Sequence, residues 1–132
     1  MSRIEPKWLD RHKVVALHGM QLAEHGGLAG IRDDVGLESA LARPINKWHY
    51  EEPDMFDLAG AYAFGITMNH PFADGNKRTG FMAAYVFLGM NGIEIDAPEA
   101  EVVVMTLDLA ADKLGEAGYS QWLRDRGVDW SD

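Results

Sequence analysis

The residues that could carry chemistry lie close together in one segment, "HPFADGNKRTG", which runs from His70 to Gly80. A histidine titrates near neutral pH and can take a proton from a hydroxyl group. A carboxylate can anchor Mg²⁺, and lysine and arginine bind phosphate. These residue types at this spacing are typical of phosphoryl or nucleotidyl transfer. The sequence therefore indicates His70 as a general base and Asp74 as a Mg²⁺ ligand.

We expect this segment to be a loop that leads directly into a helix. Pro71 disfavours helical geometry for the residue before it, so His70 should lie just past the end of the preceding helix. A new helix should begin near Lys77, and the unpaired backbone N–H groups at a helix start form an anion site. The predicted phosphate-binding residues at this helix start are Gly75, Asn76, Lys77 and Arg78.

An ordinary helix–loop–helix turn is the alternative interpretation of the segment. Turn chemistry explains Asp74, Gly75 and Asn76. It does not explain a histidine and two cations between the apolar runs "MFDLAGAYAFGITMN" and "FMAAYVFLGM", because charge is costly to hold near a core. The functional interpretation is therefore favoured.

Composition and charge limit the other function classes. The chain has 132 residues, of which 47% are hydrophobic, and this predicts one folded domain over residues 1–132. The absence of cysteine excludes disulfides, thiolate zinc sites and thiol nucleophiles. A net charge of −9 disfavours direct nucleic-acid binding. We find no signal peptide and no apolar run that could span a membrane, so a cytoplasmic protein is expected.

Apolar periodicity and capping signals predict an all-α fold of about six helices. The expected helices cover residues 5–24, 34–43, 54–69, 77–90, 97–114 and 120–126. The second helix should end at Pro44, and the segment 45–51 should form a loop or a small β-hairpin. Asp54 is the predicted N-cap of the third helix, and Asp96 that of the fifth, in a capping box with Glu99. Residues 91–96 are expected to form a turn and a short extended piece.

Two further features are assigned to the core. His18 lies on the predicted apolar face of the first helix, together with Ile4, Trp8, Val15 and Leu22. A buried histidine with a satisfied hydrogen bond is a more common outcome there than a catalytic one. The run "VVVMTL", residues 102–107, is interpreted as a core helix face rather than a partner site.

The segment "HPFADGNKRT" resembles the signature of Fic/Doc proteins, HxFx(D/E/N)(G/A)N(G/K)R. The stretches "GGLAGIRD" and "LESALARP", and the order of the helices, resemble the Doc branch of toxins, which are paired with Phd-type antitoxins. The resemblance implies that His70 activates a target hydroxyl, that Phe72 anchors the loop and that Asp74 holds Mg²⁺. It also implies that Gly75 and Asn76 shape an anion hole and that Arg78 contacts nucleotide phosphate. Residues 44–52, with Trp48 and Tyr50, resemble the flap that docks the target peptide.

Two positions bear on which phosphorus is attacked. AMP-transferring Fic proteins usually have glycine at the position of Lys77 and arginine at that of Phe81, whereas Lys77 and Phe81 fit the Doc kinases. Gly75 fits the other branch, since phage-type Doc has alanine there. The resemblance thus implies a kinase that uses ATP and Mg²⁺ and phosphorylates a threonine of elongation factor Tu. An AMP transferase and a non-catalytic binding module are the alternatives.

Regulation is also implied by the resemblance. Many Fic proteins inhibit themselves through a helix with the pattern (S/T)xxxE(G/N), and this sequence has no such pattern. A Fic/Doc enzyme of this sequence would need a separate inhibitory chain. The expected partner is a Phd-like antitoxin.

Overall fold

Six helices make up most of the chain, as the sequence predicted. The computed structural model describes residues 3–129, whose buried apolar side chains form a shared core. The elements in chain order are α1 Arg11–His25, α2 Asp34–Tyr50, α3 Met55–Asn69, α4 Asn76–Met90, β1 Ile93–Ile95, α5 Glu99–Ala110, α6 Glu116–Arg126 and β2 Gly127–Asp129.

Helix α3 lies at the centre of the fold and packs against α2, α4, α5 and α6. All residues from 58 to 63 are buried, which explains why this helix is apolar on nearly every face. It begins at the predicted N-cap. The carboxylate of Asp54 accepts the backbone N–H of Asp57 at 2.8 Å, and Asp57 accepts that of Asp54 at 3.0 Å. This reciprocal capping fixes the end of α3 that lies away from the chemical segment.

The neighbouring helices approach α3 closely because glycines line the contacts. A Cβ atom at Gly60 would lie 3.3 Å from the Cα of Ser120 in α6. A Cβ at Gly65 would lie 3.0 Å from the Cα of Ala40 in α2. These positions therefore set the spacing between helices.

The N-terminal segment is tied to α3 by one buried hydroxyl. Tyr62 is fully buried. Its hydroxyl accepts the N–H of Leu9 at 2.9 Å and donates to the Leu9 carbonyl at 3.1 Å. Burial raises the pKa of Tyr62 to about 12, so the phenol stays neutral.

Helix α1 begins later than predicted. Its N-cap is Asp10, whose side chain accepts the backbone N–H of Lys13, and the first helical residue is Arg11 rather than a residue near 5. The predicted apolar face is wrong at Ile4 and Val15, which are 87% and 37% exposed. The residues that α1 buries are Val14, Leu17, His18 and Gln21.

Helix α2 continues through Pro44 to Tyr50, so the predicted helix end and the hairpin at 45–51 are wrong. A proline inside a helix removes one hydrogen bond. The extra turn buries Trp48, which is 9% exposed and lies 6.4 Å from the ring of Trp8, and this burial offsets the loss. Trp48 therefore belongs to the core rather than to a flap, while Tyr50 is 86% exposed.

Helix α5 is shorter than predicted at both ends. It begins at Glu99, after Pro98, and no side chain caps it. The predicted capping box is absent: the backbone N–H of Asp96, which Glu99 would accept in such a box, donates to the Arg126 carbonyl at 2.9 Å. This bond extends the antiparallel pairing of β1 with β2. The helix ends at Ala110 instead of near 114. Strand β1 confirms the short extended piece, whereas nothing in the sequence predicted β2.

The run "VVVMTL" in α5 is only partly a core face. Val102, Met105 and Thr106 face the core, but Val103, Val104 and Leu107 are 51%, 55% and 50% exposed. Within residues 3–129, no helix is both long and apolar enough to cross a membrane.

Gly65 in α3 and Gly19 in α1 are helix-interior glycines in opposite surroundings. Because backbone of α2 lies beside Gly65, Gly65→Ala should destabilise the fold by about 1–3 kcal/mol. No heavy atom lies within 4 Å of a Cβ at Gly19, so Gly19→Ala should stabilise it by about 0.5–1 kcal/mol. Urea unfolding followed by circular dichroism measures both. Equal stabilisation by the two changes would contradict the close α2–α3 contact.

Candidate active site

His70, the first residue of the segment His70 to Gly80, lies at the C-terminal end of α3. Helix α3 ends at Asn69, and His70 follows as its C-cap with φ 48° and ψ 54°. This confirms the predicted position of His70 just past the helix. A left-handed conformation is uncommon for a residue with a side chain, so the surrounding contacts must hold it.

Arg32 holds the main chain at His70. Its Nε and Nη2 atoms donate to the His70 carbonyl at 3.1 and 2.5 Å. The backbone N–H of Arg32 donates to the Pro71 carbonyl at 2.7 Å. Carbonyl groups at a helix C-terminus lack helical partners and carry partial negative charge, so a guanidinium suits them. Sequence reasoning did not find this contact.

The segment after α1 runs antiparallel to the loop. Asp33 donates its backbone N–H to the Pro71 carbonyl at 3.0 Å, and Ala73 donates to Gly30 at 3.0 Å. Between these bonds, Ile31 and Phe72 form an isolated antiparallel bridge. Phe72 is 1% exposed, which confirms that it anchors the loop in the core.

Asn76 closes the loop from its other end. The side chain is 8% exposed. Its Oδ1 accepts the backbone N–H of Phe72 at 2.9 Å, and its Nδ2 donates to the Phe72 carbonyl at 3.0 Å. The side-chain amide is therefore engaged within the loop through both its oxygen and its nitrogen.

Helix α4 begins without a side-chain cap. Its N-cap is Gly75, with φ 76° and ψ 18°, and the Gly75 carbonyl accepts the N–H of Thr79 at 3.0 Å. Helix geometry leaves the N–H groups of the three residues between them without helical acceptors. Lys77 and Arg78 are exposed, and neither forms an ion pair with any residue from 3 to 129. The start of α4 is therefore a concentrated positive site.

Asp74 lies next to this helix start. One carboxylate oxygen accepts the N–H of Gly75 at 2.9 Å, and the other lies 3.4 Å from the N–H of Leu28. A Cβ at Gly27 would lie 2.8 Å from that second oxygen. The loop after α1 thus orients an exposed carboxylate toward the edge of the positive site.

His18 on helix α1 contacts the same loop. It is 4% exposed, and its ring stacks on that of Phe72 with centroids 3.9 Å apart. Its Nε2 lies 2.8 Å from the backbone carbonyl of Asp74. Since a carbonyl oxygen only accepts, Nε2 carries the hydrogen. The prediction of a buried, hydrogen-bonded core histidine is confirmed, although its partner in the loop was not foreseen.

A cation at Asp74 would have few protein ligands. Within residues 3–129, no three histidine, cysteine, aspartate or glutamate side chains come together in a metal-binding group. Mg²⁺ is commonly held by one or two carboxylates, with water and substrate phosphates as the other ligands. A single exposed carboxylate beside a positive helix start fits this kind of Mg²⁺ coordination, in which most ligands come from outside the protein.

The loop described above carries the residues that match the Fic/Doc signature, which are His70, Phe72, Asp74, Gly75, Asn76, Lys77 and Arg78. The sequence profile of the Fic/DOC family matches residues 8–88, which include the whole loop. The chain therefore belongs to the Fic/Doc family, as the signature predicted.

Two relatives support the Doc branch within that family. Protein kinase doc of Escherichia phage P1 is 31% identical over 126 residues, which cover 94% of each chain. Toxin Doc of Mycolicibacterium smegmatis (strain ATCC 700084 / mc(2)155) is 34% identical over 93 residues, which cover 69% of each chain.

Removal of the Asn76 amide should open the loop. Asn76→Ala leaves the buried N–H and carbonyl of Phe72 without these partners, so we expect a loss of about 2–3 kcal/mol in the free energy of unfolding. Urea unfolding measures it. Asn46→Ala is the matched control, because Asn46 is exposed on α2 and should have little effect. Equal stability of the two variants would show that the clamp does not hold the loop.

Proposed function

We propose that the chain is a Doc-type toxin that transfers the γ-phosphate of ATP to a hydroxyl group of a protein. One observation carries this proposal. A single loop brings together His70, whose main chain is fixed by Arg32, the exposed carboxylate of Asp74 and the uncapped, positively charged start of α4. The similarity to a protein named as a kinase supports the reaction, and the similarity to one named as a toxin supports the role.

Each residue has a role that follows from its placement. The N–H groups at the start of α4 bind phosphate oxygens, and Lys77 and Arg78 add full positive charge. Asp74 is the residue that would hold Mg²⁺, which, when bound, neutralises charge on the phosphates. His70 accepts the proton of the target hydroxyl as its oxygen forms a bond to the γ-phosphorus. The bond from that phosphorus to the bridging oxygen breaks, and ADP leaves.

Two side chains favour phosphate transfer over AMP transfer. Lys77 occupies the position where AMP-transferring Fic proteins usually have glycine, and a lysine there would crowd the α- and β-phosphates of the AMP-transfer orientation. Phe81 replaces the second arginine and packs instead among aromatic rings, with centroids 6.3 Å from Trp122 and 5.9 Å from Tyr85. No second guanidinium is therefore supplied from this position to hold the γ-phosphate.

The target and the partner are part of the same proposal. We infer that the acceptor is a threonine of elongation factor Tu. Phosphorylation of this threonine would halt translation, and the toxin would act in the cytoplasm. The sequence has no self-inhibitory (S/T)xxxE(G/N) pattern, and this supports control by a Phd-like antitoxin. The chain would then be harmful only when the antitoxin is absent.

Loss of His70 should abolish transfer without unfolding the protein. His70→Ala removes the proton acceptor, and we expect a decrease of about 10²–10⁴-fold in rate. The purified variant is incubated with ATP, Mg²⁺ and elongation factor Tu, and the mass of the intact target is measured. His12→Ala, at an exposed histidine on α1, should retain full activity.

The mass of the target and the toxicity of two variants together separate the three candidate functions. Addition of one phosphate supports the kinase, and addition of AMP would replace it by the transferase. Undiminished toxicity of both His70→Ala and Asp74→Ala would instead favour a binding module that acts by occupancy.

Arg32 should affect the chemical step more than nucleotide binding. Arg32→Ala releases the His70 carbonyl but leaves the α4 start intact, so we expect kcat to fall about 10- to 100-fold with a small change in KM for ATP. Arg3→Ala is a suitable control, because Arg3 also donates to main-chain carbonyls, those of Trp48 and Glu51. Equal kinetics for both variants would show that Arg32 does not position His70.

A further inference from the structure

Gln21 is a buried polar side chain that the proposed mechanism does not use. It lies on α1, is 1% exposed, and neither Nε2 nor Oε1 has a hydrogen-bond partner among residues 3–129. An unpaired buried polar group costs about 1–3 kcal/mol. A native protein that keeps such a group usually does so for a specific reason.

The position of Gln21 suggests that reason, because its side chain lies directly against Gly75. A Cβ atom at Gly75 would meet the Gln21 amide, with Nε2 as the nearest atom, Cδ at 2.7 Å and Oε1 at 3.0 Å. Distances this short do not occur for real Cβ atoms. The space that a side chain at position 75 would occupy is therefore filled by Gln21.

Helix α1 supports two consecutive loop residues in this way. His18 holds the carbonyl of Asp74 through Nε2, and Gln21, three residues later on the same helix face, lies against Gly75. Glycine has no side chain to restrain its backbone, and Gly75 is the N-cap from which α4 starts. Contact with Gln21 is thus a restraint that Gly75 cannot supply for itself.

We propose that Gln21 is a positioning residue for the anion site: it restrains the main chain at Gly75 and so directs the N–H groups at the start of α4 toward the ligand. The inference rests on the proposed function, in which the ligand is the phosphate chain of a nucleotide. It also means that Gln21 favours glycine at position 75, in addition to the positive φ of that residue, independently of which phosphorus is attacked.

A double-mutant cycle over positions 21 and 75 tests the inference. ATP affinity with Mg²⁺ is measured by isothermal titration calorimetry for the wild type, Gln21→Ala, Gly75→Ala and the double variant, all below their unfolding temperatures. Each single change should weaken binding about tenfold or more. The double variant should bind at least about fivefold more tightly than the product of the single effects predicts, because an alanine methyl at 75 fits the space left by Gln21.

Gly92 provides the control for backbone strain. It has φ 87°, and a Cβ added there would have no heavy atom within 4 Å, so Gly92→Ala reports the cost of alanine at positive φ alone. When Gly92→Ala is combined with Gln21→Ala, the changes in the free energy of unfolding should add, and the fold-changes in ATP affinity should multiply. If Gly75→Ala does not fold, the double variant is compared with Gln21→Ala. The double variant should then fold and bind ATP.

Three results would overturn the inference. The inference is wrong if the changes at positions 21 and 75 affect ATP affinity independently. This holds even if their effects on the unfolding temperature are coupled, because coupling in stability alone indicates only that the two residues pack together. Failure of the double variant to fold or bind would overturn the inference as well. In both cases the wild type still binds ATP and the proposed function stands, whereas a wild type that binds no ATP removes both.

Discussion

The site depends on the pair of hydrogen bonds between the Asn76 carboxamide and the main chain of Phe72. Phe72 must be buried to anchor the loop, and burial leaves its N–H and carbonyl in need of partners. A loop this short cannot supply them from regular structure. Asn76 supplies both, and because it is the first residue of α4, the same contact that satisfies Phe72 also fixes where the helix starts. The N–H groups without helical acceptors at the start of α4 therefore follow from the requirement to bury one aromatic side chain.

The start of α4 carries positive charge that is unpaired within residues 3–129, although the molecule as a whole is acidic. The net charge is −9, and several arginines outside the site are paired with carboxylates. These are Arg11, Arg43, Arg124 and Arg126. Lys77 and Arg78 have no such partners among the described residues, and they lie at the positive end of a helix. Pairing elsewhere therefore leaves the local field at α4 uncompensated, which suits a small anionic ligand better than a long polyanion.

Local signals predicted the parts of the fold that local physics decides. Asp54 caps α3, His70 follows its end and α4 begins within a residue of the expected start, because capping and proline effects act over a few residues. Tertiary contacts overrode such signals elsewhere. Pro44 did not end α2, since burial of Trp48 rewards another turn. Asp96 does not cap α5, and its N–H donates to the carbonyl of Arg126, the last residue of α6. Among the site residues, Arg32 and Gln21 could not be found from sequence, because each acts on a main-chain group about forty or more positions away, and a main-chain contact leaves no residue-type pattern.

The contact between Gln21 and Gly75 changes what Gly75 indicates about the proposed reaction. From sequence alone, Gly75 favours AMP transfer, while Lys77 and Phe81 favour phosphate transfer. Glycine at this position is favoured by its φ of 76° and by the buried amide of Gln21 beside it, so it carries less information on how the nucleotide lies. Phe81 packs with Trp122 and so has a role in the core that is independent of the ligand. In the proposed reaction, Lys77 is therefore the residue that bears most directly on nucleotide orientation, because it is an exposed cation in the first turn of α4, beside the N–H groups that we propose bind phosphate.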